Sequence, residues 1–322
     1  MKKILIIRLS SIGDIILTSP VIRCIKQQKN VEIHFLVKSE YSILLKSNPH
    51  LEKVFCLKDN LNKLTSDLQK ENYDLIIDLH NNIRSSWIKL NLALPSYTIN
   101  KKTWQKYMLI YFNWNFLHNH VVDRYFEVVK KINISNDRNG LEYFFHKKTK
   151  VNFDVKQVFI AWSIGGSSSN KKLSKKQIID VCKKMSYPVV LLGGSFENSL
   201  GDDIVQGSNY EKIYNFCGSI SLDQSAYLIR HSTLVLSNDT GLMHVAAAFK
   251  KPIISFWGCT KPSQGFAPYM GVHGSKQLIT PRSKRPCSKY GKSCRFQGQG
   301  CVKEISSQII LDSIDHFFLK NN

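Results

Sequence analysis

The sequence predicts an α/β protein of two Rossmann-like domains facing each other across a cleft, and three observations carry the prediction. Short aliphatic runs alternate with stretches of helical periodicity, the signature of parallel strands joined by crossover helices. The alternation occurs in two successive sets. Its polar or glycine-bearing turns directly follow the aliphatic runs, at the strand ends where open parallel sheets bind ligands. A length of 322 residues suits two domains of about 150 residues each. We expect an N-terminal domain over 1–152 and a C-terminal domain over 153–322, with the last helix a candidate to pack back on the first.

In the first set, residues 3–9 form an aliphatic strand that stops at Ser10-Ser11-Ile12-Gly13-Asp14. Ile12, Ile15, Ile16, Ile22 and Ile25 then fall at helical spacing, so a helix is expected through this stretch despite Pro20. Further strands are read at 31–37 and 74–79, with a helix over 61–71 between them. Residues 79–122 contain no Asp or Glu and interleave Arg84, Lys89, Lys101, Lys102 and Lys106 with eight aromatics from Trp87 to Phe116. Cations mixed with aromatics suit a phosphorylated or glycosylated ligand, a membrane interface or nucleic acid; equally, the aromatics can be core and the cations a solvated face. A helix over 123–134 and the basic run at 147–150 lead into a linker.

The second set opens with a strand at 158–162 ending in Ser163-Ile164-Gly165-Gly166-Ser167, followed by Lys171 and Lys172. A helix begins after Ser174, a strand at 189–192 runs into Gly193-Gly194-Ser195, and a short strand is read at 212–216. Ser221 is the expected N-cap of the next helix. The run 234–237 then meets Asn238-Asp239-Thr240-Gly241 and an Ala-rich helix carrying Leu242 and His244, and a strand follows at 252–257. Residues 276–303 carry eight Lys or Arg and no acid, with Cys287, Cys294 and Cys301 at seven-residue intervals. Three thiols fall one short of a closed zinc site and include no Cys-x2-Cys pair, so no metal is expected. Residues 304–319 close the chain as an amphipathic helix.

Lys plus Arg number 45 against 24 Asp plus Glu, a formal charge of +21 that calls for an anionic partner. Arg8 arrives too early for the apolar core of a signal peptide, and no segment approaches the ~20 apolar residues of a membrane span. A cytoplasmic protein with reduced cysteines, peripheral to a membrane, is therefore expected. The turn at 165–167 suits backbone and hydroxyl donation to a phosphate, with Lys171 as a point charge. Neither a Walker loop nor the dinucleotide Gly-x-Gly-x-x-Gly pattern is present, which argues against an ATPase or a dehydrogenase. Asp14, at a helix start, is placed to remain anionic and accept a proton; the plainer reading is helix-terminus decoration.

Arg8-Leu9-Ser10-Ser11-Ile12-Gly13-Asp14-Ile15, the stretch from Ser237 to Ala248, Phe256-Trp257-Gly258-Cys259-Thr260 and the segment from Pro286 to Gly291 together resemble the bacterial lipopolysaccharide heptosyltransferases of glycosyltransferase family 9. The resemblance implies the GT-B architecture and inverting transfer of heptose from ADP-heptose to a sugar hydroxyl of the lipopolysaccharide inner core, Kdo-lipid A or heptosylated core. It puts the family's catalytic base on Asp14, its phosphate-binding hydroxyl on Ser167, its diphosphate cation on Lys171 and its ribose-binding acid on Asp223. It puts the donor contacts on Asp239, Thr240, Gly241, Leu242 and His244, and requires neither metal nor cofactor. The lysine register departs from the family's Lys-Arg-Trp, since Lys171-Lys172-Leu173 stands here. Ser10, Arg84, Lys101, Lys102 and Lys106 are acceptor-side candidates on composition, for an anionic glycolipid at the inner face of the cytoplasmic membrane. Competing readings are a transferase of the same family using another nucleotide sugar, a pseudoenzyme that only binds one, and a basic nucleic-acid-binding protein; the last leaves Asp14 and the Asp-Thr-Gly turn without a role.

Overall fold

The computed structural model describes residues 1–282, 285–296 and 301–321, so Lys284 of the basic run lies outside the described residues. Contacts divide the chain into two compact units: residues 1–103 with 119–147, and residues 104–118 with 148–322. The segment 104–118, which its position in the sequence assigns to the N-terminal half, belongs with the second unit.

The first unit is built on a parallel five-stranded sheet: β1 (Lys3–Ile7), β2 (Glu32–Lys38), β3 (Lys53–Leu57), β4 (Leu75–Asp78) and β5 (Ser96–Thr98), in the order β3-β2-β1-β4-β5. Its helices are α1 (Ile12–Ile16), α2 (Ser19–Gln28), α3 (Leu61–Gln69), α4 (Ile83–Leu92) and α6 (Val121–Val129), while α5 (Thr103–Phe112) runs into the second unit. Central strands β1 and β4 are aliphatic without alternation because both faces are covered. Leu5, Ile7, Leu36, Leu64, Leu68, Ile76 and Ile88 form one buried cluster beneath α3 and α4. The helix expected through Pro20 is split into α1 and α2, and Pro20 sits in the first turn of α2, where its missing N–H has no helical acceptor to lose.

The second unit carries a parallel six-stranded sheet in the order β11-β10-β9-β6-β7-β8. Its strands are β6 (Ile160–Ser163), β7 (Val189–Leu192), β8 (Ile213–Asn215), β9 (Leu234–Asn238), β10 (Ile253–Trp257) and β11 (Lys276–Ile279). The helices are α7 (Lys175–Cys182), α8 (Asn198–Ser208), α9 (Leu222–His231), α10 (Gly241–Ala248) and α11 (Ser307–Asn321). Ser174 and Ser221 cap α7 and α9 by accepting from the N–H of Gln177 and Gln224, as the sequence pattern predicts. Helix α11 puts Ile310, Leu311, Ile314, Phe317 and Phe318 into the second unit's own core with Trp162 and Phe256, and packs on α7.

Both sheets reverse their strand order once, between β1 and β4 and between β6 and β9. At such a point the two crossover connections leave in opposite directions and open a crevice at the strand carboxyl ends.

Candidate functional site

In the first unit, the reversal point is lined by the residues that follow β1 and β4. Arg8 is only 9% exposed, and its guanidinium donates from Nε to the Ser10 carbonyl at 2.8 Å and from Nη1 to the Leu79 carbonyl at 2.5 Å. Its remaining nitrogen, Nη2, lies 2.8 Å from Oδ1 of Asp14. The other Asp14 oxygen accepts from the Ser11 hydroxyl at 3.1 Å and the Ser11 N–H at 3.4 Å. Burial acts to raise the Asp14 pKa, but the Arg8 charge and the Ser11 donors outweigh it, so the carboxyl is held below its ordinary value. The outcome is a fixed carboxylate with a quarter of its side chain in solvent, 24% by area.

His80, two residues past β4, belongs to the same lip. Burial first, then the charges of Arg8 and Lys101, push its pKa down to about 4, so the ring is neutral at physiological pH. Asp78 fixes this turn, accepting from the N–H of His80 at 2.9 Å and of Asn81 at 2.7 Å, from the Ser85 hydroxyl at 2.8 Å and from Lys89 at 2.9 Å. Lys101 is thus within electrostatic reach of the Asp14 lip, and Arg84 is exposed in the first turn of α4. Lys102 instead turns toward Glu127 at 3.7 Å. Lys106 is buried in the second unit with its ammonium over the Phe266 ring at 5.3 Å.

In the second unit, Asn238 ties the reversal point together. Fully buried, it donates from Nδ2 to the carbonyls of Ile164 at 3.1 Å and Gly165 at 3.0 Å, which pins the 164–166 turn against the end of β9. The cap of α10 is Thr240 rather than Asn238 or Asp239. Asp239 is left to the lip, where its Oδ2 accepts from Lys171 Nζ at 2.7 Å and from the Thr260 hydroxyl at 2.8 Å. Three loops, after β6, β9 and β10, therefore meet on one carboxylate. Ser167 is exposed on the first of them, Gly241 and Leu242 are half-buried in the opening turn of α10, and His244 lies behind them at 4% exposure.

A second ion pair lies beside the first. Lys172 reaches Glu197 at 3.1 Å, and Glu197, only 8% exposed, also accepts from the Gly194 N–H at 3.1 Å. A side chain on Gly193 would come within 2.8 Å of the Glu197 Cβ, so that glycine is needed for the carboxylate to settle between the ends of β6 and β7. Asp223 is buried in the first turn of α9, after edge strand β8 and two strands from β6. Glu197, Arg8, His80 and Thr260 were not singled out by sequence reasoning. Arg8 and Thr260 lie inside the motifs quoted above, whereas nothing in the spacing of Glu197 announces it.

The second unit's lip carries two lysines and the open first turn of α10, groups whose chemistry can receive an anion. The first unit's lip carries a fixed carboxylate suited to accepting a proton. Among known proteins, glycosyltransferase family 9 (heptosyltransferase) matches residues 61–296. The chain is 24% identical to lipopolysaccharide heptosyltransferase 1 of Campylobacter coli over 98% of its own length and 99% of that protein's. Its fold is similar to the family 9 glycosyl transferase of Veillonella parvula, with a TM-score of 0.83 at 18% identity over 99% and 98% of the two chains. It is also similar to E. coli ADP-heptose lipopolysaccharide heptosyltransferase II, with a TM-score of 0.75 at 19% identity over 100% and 99%. The two parallel α/β sheets are those of the GT-B fold, and the chain belongs to glycosyltransferase family 9, the lipopolysaccharide heptosyltransferases.

Proposed function

We propose that this enzyme moves heptose from ADP-heptose to a sugar hydroxyl of the lipopolysaccharide inner core, with Asp14 as the general base. In that reaction the bond between the anomeric carbon and the diphosphate oxygen breaks, and ADP leaves with the electron pair. The acceptor oxygen bonds to the opposite face of the same carbon, its proton passes to the Asp14 carboxylate, and the configuration inverts. Arg8 holds the carboxylate deprotonated and fixed, so its proton uptake accompanies bond formation rather than preceding it. Lys171, the Ser167 hydroxyl and the N–H groups of Thr240 and Gly241 receive the diphosphate charge; Asp239, Leu242 and His244 contact the donor, and Asp223 its ribose. The observation that carries this reading is the Lys171–Asp239–Thr260 cluster at the β6/β9 reversal point, a cation and a carboxylate presented together where a sugar diphosphate needs both.

The acceptor is proposed to be the anionic glycolipid itself, Kdo-lipid A or its heptosylated form, at the inner face of the cytoplasmic membrane. The +21 charge and the basic side chains of Arg84, Lys101 and Lys102 support an anionic partner, with Ser10 beside Asp14. Lys106 is a weaker candidate because its ammonium is buried against Phe266. No helix among the described residues is long and apolar enough to cross a membrane.

Transfer assays with a panel of nucleotide sugars and Kdo-lipid A test the donor. Turnover of a UDP-sugar with indifference to ADP-heptose would move the enzyme to another donor within the same family. The Asp14→Asn variant is expected to lose about 10²–10⁴-fold in kcat while binding ADP as the wild type does. Full activity in that variant would remove Asp14 as the base.

A further inference from the structure

We propose that the second unit contains a mononuclear tetrathiolate metal site formed by Cys259, Cys287, Cys294 and Cys301, taking one divalent d-block ion, zinc in the first instance, and that this ion fastens the loop that packs on Lys171. The three evenly spaced cysteines lack a fourth ligand in the sequence; the fold supplies it. Cys259 stands just past β10, and its Sγ and those of the other three all lie within 4.8 Å of one another. A tetrahedral ion with metal–sulfur bonds of about 2.3 Å holds its sulfurs ~3.8 Å apart. The Cys259 and Cys301 sulfurs are 3.6 Å apart, near that spacing and far beyond a disulfide's ~2.05 Å. Cys259 and Cys301 are buried and Cys287 and Cys294 half-buried, so a bound ion is closed off from solvent, as in structural rather than catalytic sites. The backbone is already committed to this convergence. Cys287 donates its N–H to the Cys259 carbonyl at 2.8 Å, and Gly258 packs so closely on Val302 that a Cβ there would fall 2.5 Å from the Val302 nitrogen.

Lys261 gives an independent pointer. Its side chain is 2% exposed, and its ammonium has no hydrogen-bond partner among the described residues. It stands two residues past Cys259, on the loop that leaves β10. An isolated buried ammonium is costly unless an opposite charge faces it. Binding one divalent ion converts four thiols to thiolates, releases four protons and leaves a site of net charge −2, a counter-charge for Lys261 and for the basic run around it.

The loop over 285–296 has no helix or strand of its own, yet it covers the donor lip. Its Gly291 carbonyl accepts from the Ser168 hydroxyl at 3.0 Å, and its Lys292 carbonyl accepts from Asn170 at 3.0 Å. Gly291 lies on the aliphatic stem of Lys171, where a Cβ would come within 2.7 Å of Cε. An ion joining Cys287 and Cys294 to Cys259 and Cys301 holds that loop in place, and with it the direction of the Lys171 ammonium.

Elemental analysis of the full chain, purified under reducing conditions without chelator, is expected to give one equivalent of metal per chain. Zinc supports the assignment as stated, and iron supports the site while replacing its ion. Titration with a mercurial should release that equivalent as four thiols are consumed, and cobalt substitution should produce thiolate-to-cobalt charge-transfer bands with tetrahedral d–d absorption. Cys287→Ser and Cys294→Ser should lose the metal, while Cys24→Ser, at a buried cysteine outside the cluster, should keep it. Metal removal should weaken ADP binding about tenfold, restored by added zinc. A folded, ADP-binding chain with no metal after growth in zinc- and iron-supplemented medium, and no cobalt bands, overturns the proposal. So do disulfides among these four cysteines in reducing buffer. Metal content is read without the donor, so a chain that holds one ion yet transfers no heptose keeps this site and loses only the donor assignment.

Discussion

Lys171 and Asp239 make opposite predictions for ADP, and that opposition is the sharpest test of the donor lip. Their charged atoms are 2.7 Å apart with both side chains 12% exposed, a gross attraction of about 6 kcal/mol at an effective dielectric of ~20. Desolvation of the two groups offsets most of it, so the net coupling in a double-mutant cycle is expected at about 1–3 kcal/mol. A diphosphate approaching the lip competes with Asp239 for the same ammonium. Lys171→Ala removes a charge-assisted contact worth about 1.5–3 kcal/mol and should weaken ADP binding roughly 10- to 150-fold. Asp239→Asn removes the competitor and should leave ADP binding unchanged or tighter, while heptose transfer falls. Calorimetric titration of ADP into both single variants and the double variant, with urea unfolding in parallel, measures both terms. Wild-type ADP affinity in Lys171→Ala, or equal losses in the two single variants, would refute the reasoning, because the lysine would then serve Asp239 and not the ligand.

Other expectations concern the first unit and the loop over Lys171. Arg8→Gln should move the acid limb of the kcat/KM profile upward, whereas Arg8→Lys should leave it nearly in place; an unmoved limb in folded Arg8→Gln would separate Asp14 from Arg8. The same pair has a stability signature: Asp14 is depressed in the folded state, so its contribution is full above the unfolded carboxylate value and is lost as pH falls through the folded one. His80, at about 4, takes up its proton in the unfolded chain first, so stability should decline from about pH 6.5 toward 4, by up to about 2 kcal/mol allowing for partial exposure. His80→Gln should flatten that decline in pH-dependent melts and leave the kcat/KM limb unmoved. Gly291→Ala forces a φ of +70° on a residue with a Cβ, which costs about 1–2 kcal/mol, and pushes on the Lys171 stem. ADP affinity and Tm should both drop; normal values for both would disconnect the loop from the lysine.

The parts of the fold that sequence expresses locally were legible in the sequence. β1, β6, β7, β9 and β10 are aliphatic runs covered on both faces, and Ser174 and Ser221 announce their helices by hydrogen bonds three residues long. The strands missed were at or near the sheet edges. β3 is only partly buried, β5 is three residues long, and β11 buries Leu278 alone, so none needs a continuous apolar run. At the candidate site, Asp239 and Lys171 were readable from motif and turn, but their ion pair was not, because 68 positions separate them. Glu197 depends on glycines that let it approach from the neighbouring strand end, and Cys259 joins its three partners only because β10 and β11 lie side by side. Such contacts are written in topology rather than in spacing.

The excursion of residues 104–118 into the second unit bears on how this protein is made. A chain emerging N-terminus first delivers α5 before any strand of the sheet with which it belongs, since β6 begins at Ile160. Its anchors come later still: Phe266 for Lys106, Arg295 for the Ile110 carbonyl and Arg285 for the Tyr111 carbonyl. Until then Trp104, Tyr107, Tyr111, Phe112, Trp114 and Phe116, already solvent-exposed in the finished fold, hang on a segment without its partners. The contacts that join this segment to the second unit span some of the longest sequence separations in the chain, 174 and 185 positions for the Arg285 and Arg295 bonds. Contacts of that kind carry a high loop-closure cost. A fragment beginning at residue 153 would lack it altogether, and dissection of the enzyme into halves has to carry residues 104–118 with the C-terminal piece.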